Sequence, residues 1–566
     1  MASRREFIGL VVAGSTQFAF GQSSSEYGQF APADAFTDDP RFPYYGSENE
    51  WNRRMFSVAE AAADYKRVGQ RLLLALLDGH PRQCVEMCQE QLARTPNDLE
   101  ALFVLTCAWV KLNDPTKALD AARQAVAAGL PAERFLAGPV ELLGPLTSGA
   151  EFLQLTGGRA PGLIHGPMLG AMTPDSMRFW LRTAGEQEAA IQIYRGKDDA
   201  SPMTTAVAHT AAADDRTATL EVASLESDAE YFYDVAIDGV PAGNERMKFR
   251  TAPPAGKPGK YRVAFGGCSG YTPQFERMWN TIHAHRPLAM MTLGDNGYID
   301  LPEEPGPFHR YSYYCRQSRP EWRQLAATTP IYAIWDDHDC GIDDIWLGPH
   351  RDRPAWKPGA LKLFKQNWNN PSYGSRTWPG CWVRFAIGDV DFFMLDCRYY
   401  RTNPFAPTRT MLGPEQKKWL LNGLARSTAT FKVLVSSVAW AHGLKPGSRD
   451  GWDGYSEERE EIFSLIETNR IGGVLLLSAD RHRSDAWRID RPGGYALYDV
   501  CSSRLTNIHT HECLPGALFC YNEKCSFGLL DFDTQAADPQ ALITIVNIDG
   551  QAMHTLPLKR SQLDFG

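Results

Sequence analysis

The chain has 566 residues, 43% hydrophobic and 22% charged, with a net charge of −9 at pH 7. That length exceeds what one hydrophobic core can organise and predicts about three or four domains of ordinary globular composition. The acidic balance excludes general affinity for nucleic acid or anionic membranes. No stretch after the N-terminus approaches about 18 uninterrupted apolar residues, which excludes a helical membrane span.

Ser3-Arg4-Arg5-Glu6-Phe7-Ile8-Gly9 leads into a moderately apolar stretch closed by Ala19-Phe20-Gly21. This is the pattern of a twin-arginine signal over residues 1–22, and it predicts export of the folded protein to the periplasm or beyond. Residues 23–49 carry Ser, Pro, Gly and aromatics without period and read as a linker. From 50 to 155 the period turns helical. Residues 83–96 and 117–130 align at a spacing of about 34 residues, the register of tetratricopeptide-like hairpins. About two such units are too few for a free-standing solenoid, so they are expected to dock on the rest of the chain, as a structural cap or as a platform for a protein partner. Residues 158–254 change period again. The runs 176–182, 189–194, 217–222 and 231–237 alternate apolar and polar between Asp- and Gly-rich turns. They predict an all-β sandwich, fibronectin- or immunoglobulin-like, with Leu225, Tyr231 and Tyr233 as candidates for a tyrosine corner.

Residues 258–558 alternate strands with helical stretches, the α/β pattern. Four apolar runs end in chemistry. Residues 261–265 lead into Gly266-Gly267-Cys268-Ser269, and 288–293 into Gly294-Asp295-Asn296-Gly297-Tyr298. Residues 331–335 lead into Asp336-Asp337-His338-Asp339, with Asp343 and Asp344 just beyond, and 473–477 into Ser478-Ala479-Asp480-Arg481-His482. Ligands sit beyond the carboxyl ends of strands in such sheets. Carboxylates crowded there repel one another unless a cation neutralises them, so a polynuclear metal site is the economical reading. About nine strands exceed one comfortable open sheet and predict two sheets packed face to face, with helices outside. Residues 298–326 form a long excursion, expected to be a lid or rim over the site. Twelve cysteines in an exported protein permit disulfides. Some pairing is expected among Cys501, Cys513, Cys520 and Cys525, while Cys84, Cys88 and Cys107 fall on helical faces as buried thiols.

Taken in order, these motifs, with Asp396-Cys397-Arg398-Tyr399-Tyr400-Arg401 and Leu412-Gly413-Pro414-Glu415-Gln416, resemble the PhoD-like alkaline phosphatases. That family belongs to the calcineurin-like metallophosphoesterases, and the resemblance covers about residues 158–558. It implies a two-sheet α/β metallophosphoesterase sandwich holding ferric iron and calcium and hydrolysing phosphate mono- and diesters. Carried over by position, Cys268, Asp295, Tyr298 and His482 resemble the iron-side ligands. Asp295 bridges to a second site whose matching candidates are Asp337 and Asp480. The resemblance also implies that His338 stands beside the leaving group and that Arg398 binds a phosphate oxygen. The chain departs from the pattern at Ala479, where the family keeps a glycine, and at Asp343, where an Asn is common. The donors agree with the implied metals: thiolate and phenolate favour an oxidised iron, whereas Asp337, Asp480 and Asp343 offer only oxygen and suit calcium. Two other functions stay open at this level. One is a phosphodiesterase for phospholipid headgroups or nucleotides; the other is an exported interaction protein of helical and sandwich modules with weak catalysis.

Overall fold

The computed structural model describes residues 68–158 and 162–566. The twin-arginine segment, the linker and the start of the helical region lie outside the described residues. The described part of the helical region includes the helices Val68–Leu77, Pro81–Arg94, Leu99–Lys111 and Pro115–Ala127. Their starts are written locally: Pro81 and Pro115 occupy first-turn positions, where the missing N–H costs nothing. The Asp98 carboxylate accepts from the backbone N–H groups of Glu100 and Ala101 at 3.1 and 3.0 Å. Leu99–Lys111 is buried almost all round, and its core includes Tyr311 from the far side of the chain. The Arg134 guanidinium lies over the Phe103 ring at 3.8 Å and over Tyr311 at 5.2 Å. The helical hairpins therefore dock, and Cys84, Cys88 and Cys107 are buried thiols.

The next unit is built from two small antiparallel sheets. One joins β1 (Leu163–Gly170), β2 (Met177–Thr183) and β5 (Thr217–Val222). The other joins β3 (Glu188–Tyr194), β4 (Thr204–His209), β6 (Glu230–Ile237), β7 (Val240–Pro241) and β8 (Met247–Arg250). Alternating burial along β3 and β6 turns one face of that sheet inward, where Phe179, Tyr233 and Phe249 pack at ring separations of 4.9–6.0 Å. The Tyr231 hydroxyl accepts from the Glu226 N–H at 2.8 Å, tying the strand back to the preceding loop.

Two larger sheets follow, as the strand count predicts. The first has the order β11 (Ile331–Ile334), β10 (Ala289–Leu293), β9 (Lys260–Gly266), β19 (Ser526–Asp533), β20 (Gln540–Asn547), β21 (Ala552–Lys559). The second has the order β12 (Val383–Ile387), β13 (Val390–Met394), β14 (Phe431–Val435), β15 (Val474–Ser478), β17 (Leu497–Ser502), β16 (Ser484–Ile489), β18 (Phe519–Tyr521). β9, β10 and β11 run parallel, as do β13, β14, β15 and β17. The sheets meet face to face through aromatic pairs: Tyr332 stacks on Phe385 at 3.7 Å, and Phe532 meets Phe431 at 5.6 Å. β10, β11, β13, β14 and β15 are buried along their whole lengths.

The excursion after β10 corrects the expectation of a lid. It folds into helices Pro307–Gln317 and Pro320–Ala326, and nearly every side chain of the first is buried. Several of its polar tips, which suggest a surface in the sequence, find interior partners. The Tyr314 hydroxyl donates to Asp215 at 2.7 Å, and Ser318 meets His165 of β1 at 2.9 Å. Arg182 of β2 is fully buried and donates to Gln317 at 2.6 Å, Asp215 at 2.8 Å and Asn367 at 2.9 Å. The excursion is a wedge between the helical region, the small sandwich and the central sheets.

Candidate metal centre

β9 runs into Gly267 and Cys268, β10 into Gly294 and Asp295, β11 into Asp336 and Asp337, and β15 into Ala479, Asp480 and His482. Backbone hydrogen bonds lock the first two turns together: the Cys268 N–H donates to Gly294 O at 3.1 Å, and the Ser269 N–H to Asp295 O at 2.8 Å. Gly294 has φ 95°, and a Cβ there would stand 2.7 Å from the Asp336 Cβ, so only glycine lets the second and third turns approach. Cys268, Asp295, Tyr298, Asp480 and His482 all have left-handed backbone, with φ between 46° and 67°. Such conformations cost about 1–3 kcal/mol each, and their clustering on five candidate ligands marks a site that trades stability for placement.

Gly267 carries a further constraint. A Cβ at this position would lie 2.6 Å from the Ala479 Cβ. Ala479 itself stays outside the left-handed region, so its methyl is tolerated only because Gly267 has none. Gly267→Ala is expected to cost about 1–3 kcal/mol of overpacking, and adding Ala479→Gly to recover part of it. Urea denaturation of the single and double variants checks the coupling; equal stabilities would deny it.

The side chains meet beneath these turns. The Cys268 thiol is 3.4 Å from Asp295 Oδ2. The Tyr298 hydroxyl donates to the same oxygen at 2.9 Å and stands 3.0 Å from His482 Nε2. Cys268, Asp295 and His482 each bring one ligand atom within 4.8 Å of the others; so do Asp295, Asp337 and His338, and so do Asp337, Asp344 and Asp450. Burial, aided by Asp295 and Asp480, raises the Cys268 thiol well above its ordinary range. Burial does the same to Asp295, with Asp337 and Asp336 adding to it, and to Tyr298, with Asp295 and Cys268 adding. Three acids packed this closely cannot all ionise without a cation. Asp295 Oδ1 and Asp337 Oδ1 are buried and accept no hydrogen bond. Asp337 Oδ1 lies 3.7 Å from the Arg398 guanidinium, and the donor set with these oxygens fits a metal centre with Asp295 at its middle.

His338 lies against this group, its ring 4.4 Å from that of Tyr298. Its Nδ1 bonds the buried Asp300 carboxylate, and its Nε2 is 3.8 Å from Asp343 Oδ1. Burial opposes its charge, but Asp300, Asp295 and Asp337 outweigh burial and push it up to about 10. Asp337 shows the converse balance. Burial raises it, yet Arg398 and His338 prevail and leave it at about 2.

Three residues named from the sequence have surroundings the sequence does not convey. The guanidinium of Arg398 is 0% exposed, bonds Asp336 at 2.5 Å, and grips Asp450 bidentately at 2.6 and 3.1 Å; it has no face left for a substrate. Asp343 is 40% exposed and faces His338, outside the grouped ligands, because the chain turns at this point and it is the neighbouring Asp344 that points inward. Asp480 lies near enough to raise the Cys268 thiol, and it also stands 3.4 Å from Arg481 and 3.8 Å from Lys445. Other residues escape a sequence reading. Asn507 donates to the Tyr298 hydroxyl at 2.6 Å, and Ser503 to the Cys268 sulfur at 3.4 Å. His509 and His511 stack on His482 at 5.7 and 5.2 Å. They share the loop after β17, which the Cys513–Cys520 disulfide closes; Cys501 and Cys525 remain buried thiols. Only Asp300, two residues past Tyr298, carried a signal by nearness to a motif.

Comparison with known proteins gives a family match over part of the chain. Residues 263–507 match the PhoD-like phosphatase family. This stretch, less than half of the chain, is similar to that family's domain. Residues 160–253, the small sandwich, match a domain of unknown function, DUF7800. Alkaline phosphatase D of Bacillus subtilis (strain 168) is 33% identical over 120 residues, 18% of this chain and 21% of that protein. The chain thus aligns with about a fifth of the length of this curated relative. In fold, the chain is similar to a solved structure of PhoD, with a TM-score of 0.58 and 17% identity over 72% of this chain and 91% of that one. It is also similar to the purple acid phosphatase PPD1 from yellow lupin (Lupinus luteus) seeds, with a TM-score of 0.51 and 13% identity over 70% and 74%. The PhoD-like match ends at Asn507, yet β19, β20 and β21 complete the first central sheet.

Proposed function

We propose that this chain is a metal-dependent phosphoric ester hydrolase whose centre is held by Cys268, Asp295, Tyr298 and His482 on one side and by Asp295 and Asp337 on the other. The observation that carries the reading is the buried, mutually adjacent set of acids with two carboxylate oxygens that accept no hydrogen bond. Thiolate and phenolate suit ferric iron at the first position, and the all-oxygen second position suits calcium. Bound cations supply Lewis-acid polarisation of phosphoryl oxygens and acidify water at the site. The chain's own part is to orient and to move protons. Asp300 fixes the His338 ring and sustains its charge, so His338 holds a proton for the leaving alkoxide. Turnover of a monoester and a diester chromogenic substrate by the metal-loaded protein tests the reading, and hydrolysis of neither removes it.

The metal assignment has its own test. The iron protein is expected to be coloured by phenolate- or thiolate-to-iron charge transfer, with Tyr298→Phe altering that band. A calcium chelator should remove activity and leave the colour. A colourless active enzyme holding only zinc would dismiss iron while leaving hydrolysis intact.

The small sandwich is immunoglobulin- or fibronectin-like in this reading, and the helical region is tetratricopeptide-like. We assign the helical region a bracing role first and a partner-binding role second, because the Gln70 amide donates to the Tyr298 carbonyl at 2.7 Å and to Ser312 at 3.0 Å. Export by the twin-arginine route accords with the Cys513–Cys520 disulfide, a bond favoured in oxidising compartments. Among the described residues no helix is long and apolar enough to cross a membrane. Replacing Arg4 and Arg5 together with Lys is expected to leave the precursor uncleaved in the cytoplasm; mature protein outside the cytoplasm would mean a signal of another type.

A further inference from the structure

The acidic flank of the centre carries cations of its own. Asp337, Asp344 and Asp450 have the spacing of a metal group, but side chains already neutralise it. Arg398 and Arg401 hold Asp450 Oδ1 at 2.6 and 2.8 Å. Lys445 Nζ lies 2.5 Å from Asp344 Oδ1, 3.3 Å from Asp450 Oδ2 and 3.8 Å from Asp480 Oδ2. These cations differ in reach. The two guanidinium side chains are 0% and 1% exposed, whereas Lys445 is 23% exposed.

The segment bearing Lys445 is pinned on both sides. Arg481 Nε donates to Leu444 O at 3.1 Å, and the Ser448 N–H donates to Lys445 O at 3.0 Å. Ser448 Oγ then donates to Asp344 at 3.3 Å and accepts from the Asp450 N–H at 3.0 Å. A lysine held in this way pays little further ordering entropy when it meets a ligand. Without it, Asp344 would confront an incoming anion without its nearest cation, and Asp480 would keep only Arg481.

We propose that Lys445 is the substrate-binding cation of this site. Its ammonium balances Asp344 and Asp450 and takes a non-bridging oxygen of the phosphoryl group, the part that the sequence pattern gives to Arg398. A compact point charge suits this position, since it serves carboxylates and a tetrahedral oxyanion at once without needing a planar partner. The inference rests on the phosphoester reading of the site.

The test uses the metal-loaded full chain, 4-nitrophenyl phosphate as substrate and inorganic phosphate as competing ligand. In Lys445→Met, the KM and the inhibition constant for phosphate should rise about 10- to 100-fold, the loss of one charge-assisted hydrogen bond. Metal per chain should stay unchanged, kcat should fall less, and Lys445→Arg should keep most of the affinity. The double variant Lys445→Met with Asp344→Asn removes the charge together with its nearest partner, and it should show the same loss even where the single variant does not fold. Phosphate affinity in the double variant within about twofold of the parent would overturn the proposal, as would a change explained by gain or loss of metal; Lys445 would then be a counter-ion alone. A parent protein that binds phosphate through Lys445 yet turns over no ester upholds this inference and removes the hydrolase reading.

Discussion

His338→Ala is expected to slow alkyl phosphate esters by about 10²–10⁴-fold while slowing a 4-nitrophenyl ester far less. The reason lies in what leaves. An alkoxide must be protonated as the P–O bond breaks, whereas nitrophenolate departs without help. The structure gives His338 the means: Nδ1 is committed to the buried Asp300, which keeps the ring charged and aimed. Asp300→Asn should reproduce part of the loss by removing that charge while preserving the shape. Rates on the two ester types, with metal content measured alongside, decide the matter. Equal slowing of both esters, or slowing that follows metal loss, would take His338 out of the proton-donor role.

Arg316→Met carries the largest expected cost in stability, about 3–5 kcal/mol. This buried guanidinium stands on the excursion helix and joins the loops that carry the candidate ligands. It donates to Ser269 O at 2.5 Å, to Asn296 O, to Glu276 at 3.2 Å and to Thr506 at 3.3 Å. Removing it strands Glu276 in the interior and frees the carbonyls beside Cys268 and Asp295. Chemical denaturation should show the loss, and metal content should drop with it. Arg316→Met with Glu276→Gln should be less unstable than the single variant, because the orphaned charge is gone. If the single variant matches the parent in both stability and metal content, the brace is dispensable.

The two predictions draw on different kinds of legibility. His338 stood in the sequence inside a run of acids that ends an apolar strand, and this local signature pointed to chemistry before any fold was known. Strand ends could be read because a strand buried on both faces must be continuously apolar, so the abrupt arrival of Cys268, Asp295, Asp337 and His482 is conspicuous. The two-sheet arrangement followed from strand count, and the small sandwich from alternation. Arg316 could not be read in that way. An arginine in a stretch rich in Pro, Tyr and charge looks like surface, and only the partners at Ser269, Asn296 and Thr506, far along the chain, turn it into an interior brace.

By itself, then, the sequence determined the elements and the kinds of donor at their ends, because periodicity and turn chemistry act over a few residues. It also offered the donor types, a thiol and a phenol beside carboxylates, from which the metal proposal is argued. The tertiary structure alone decided which charges face which. It buried Arg398 against Asp336 and Asp450, turned Asp343 toward His338, placed Lys445 at the solvent side, and brought Asn507, His509 and His511 to Tyr298 and His482 from a loop carrying a disulfide. Those outcomes depend on contacts between residues tens to hundreds of positions apart. Whether a buried charge is a ligand, a counter-ion or a brace is set by its neighbours in space, and one chain read in order carries no record of them.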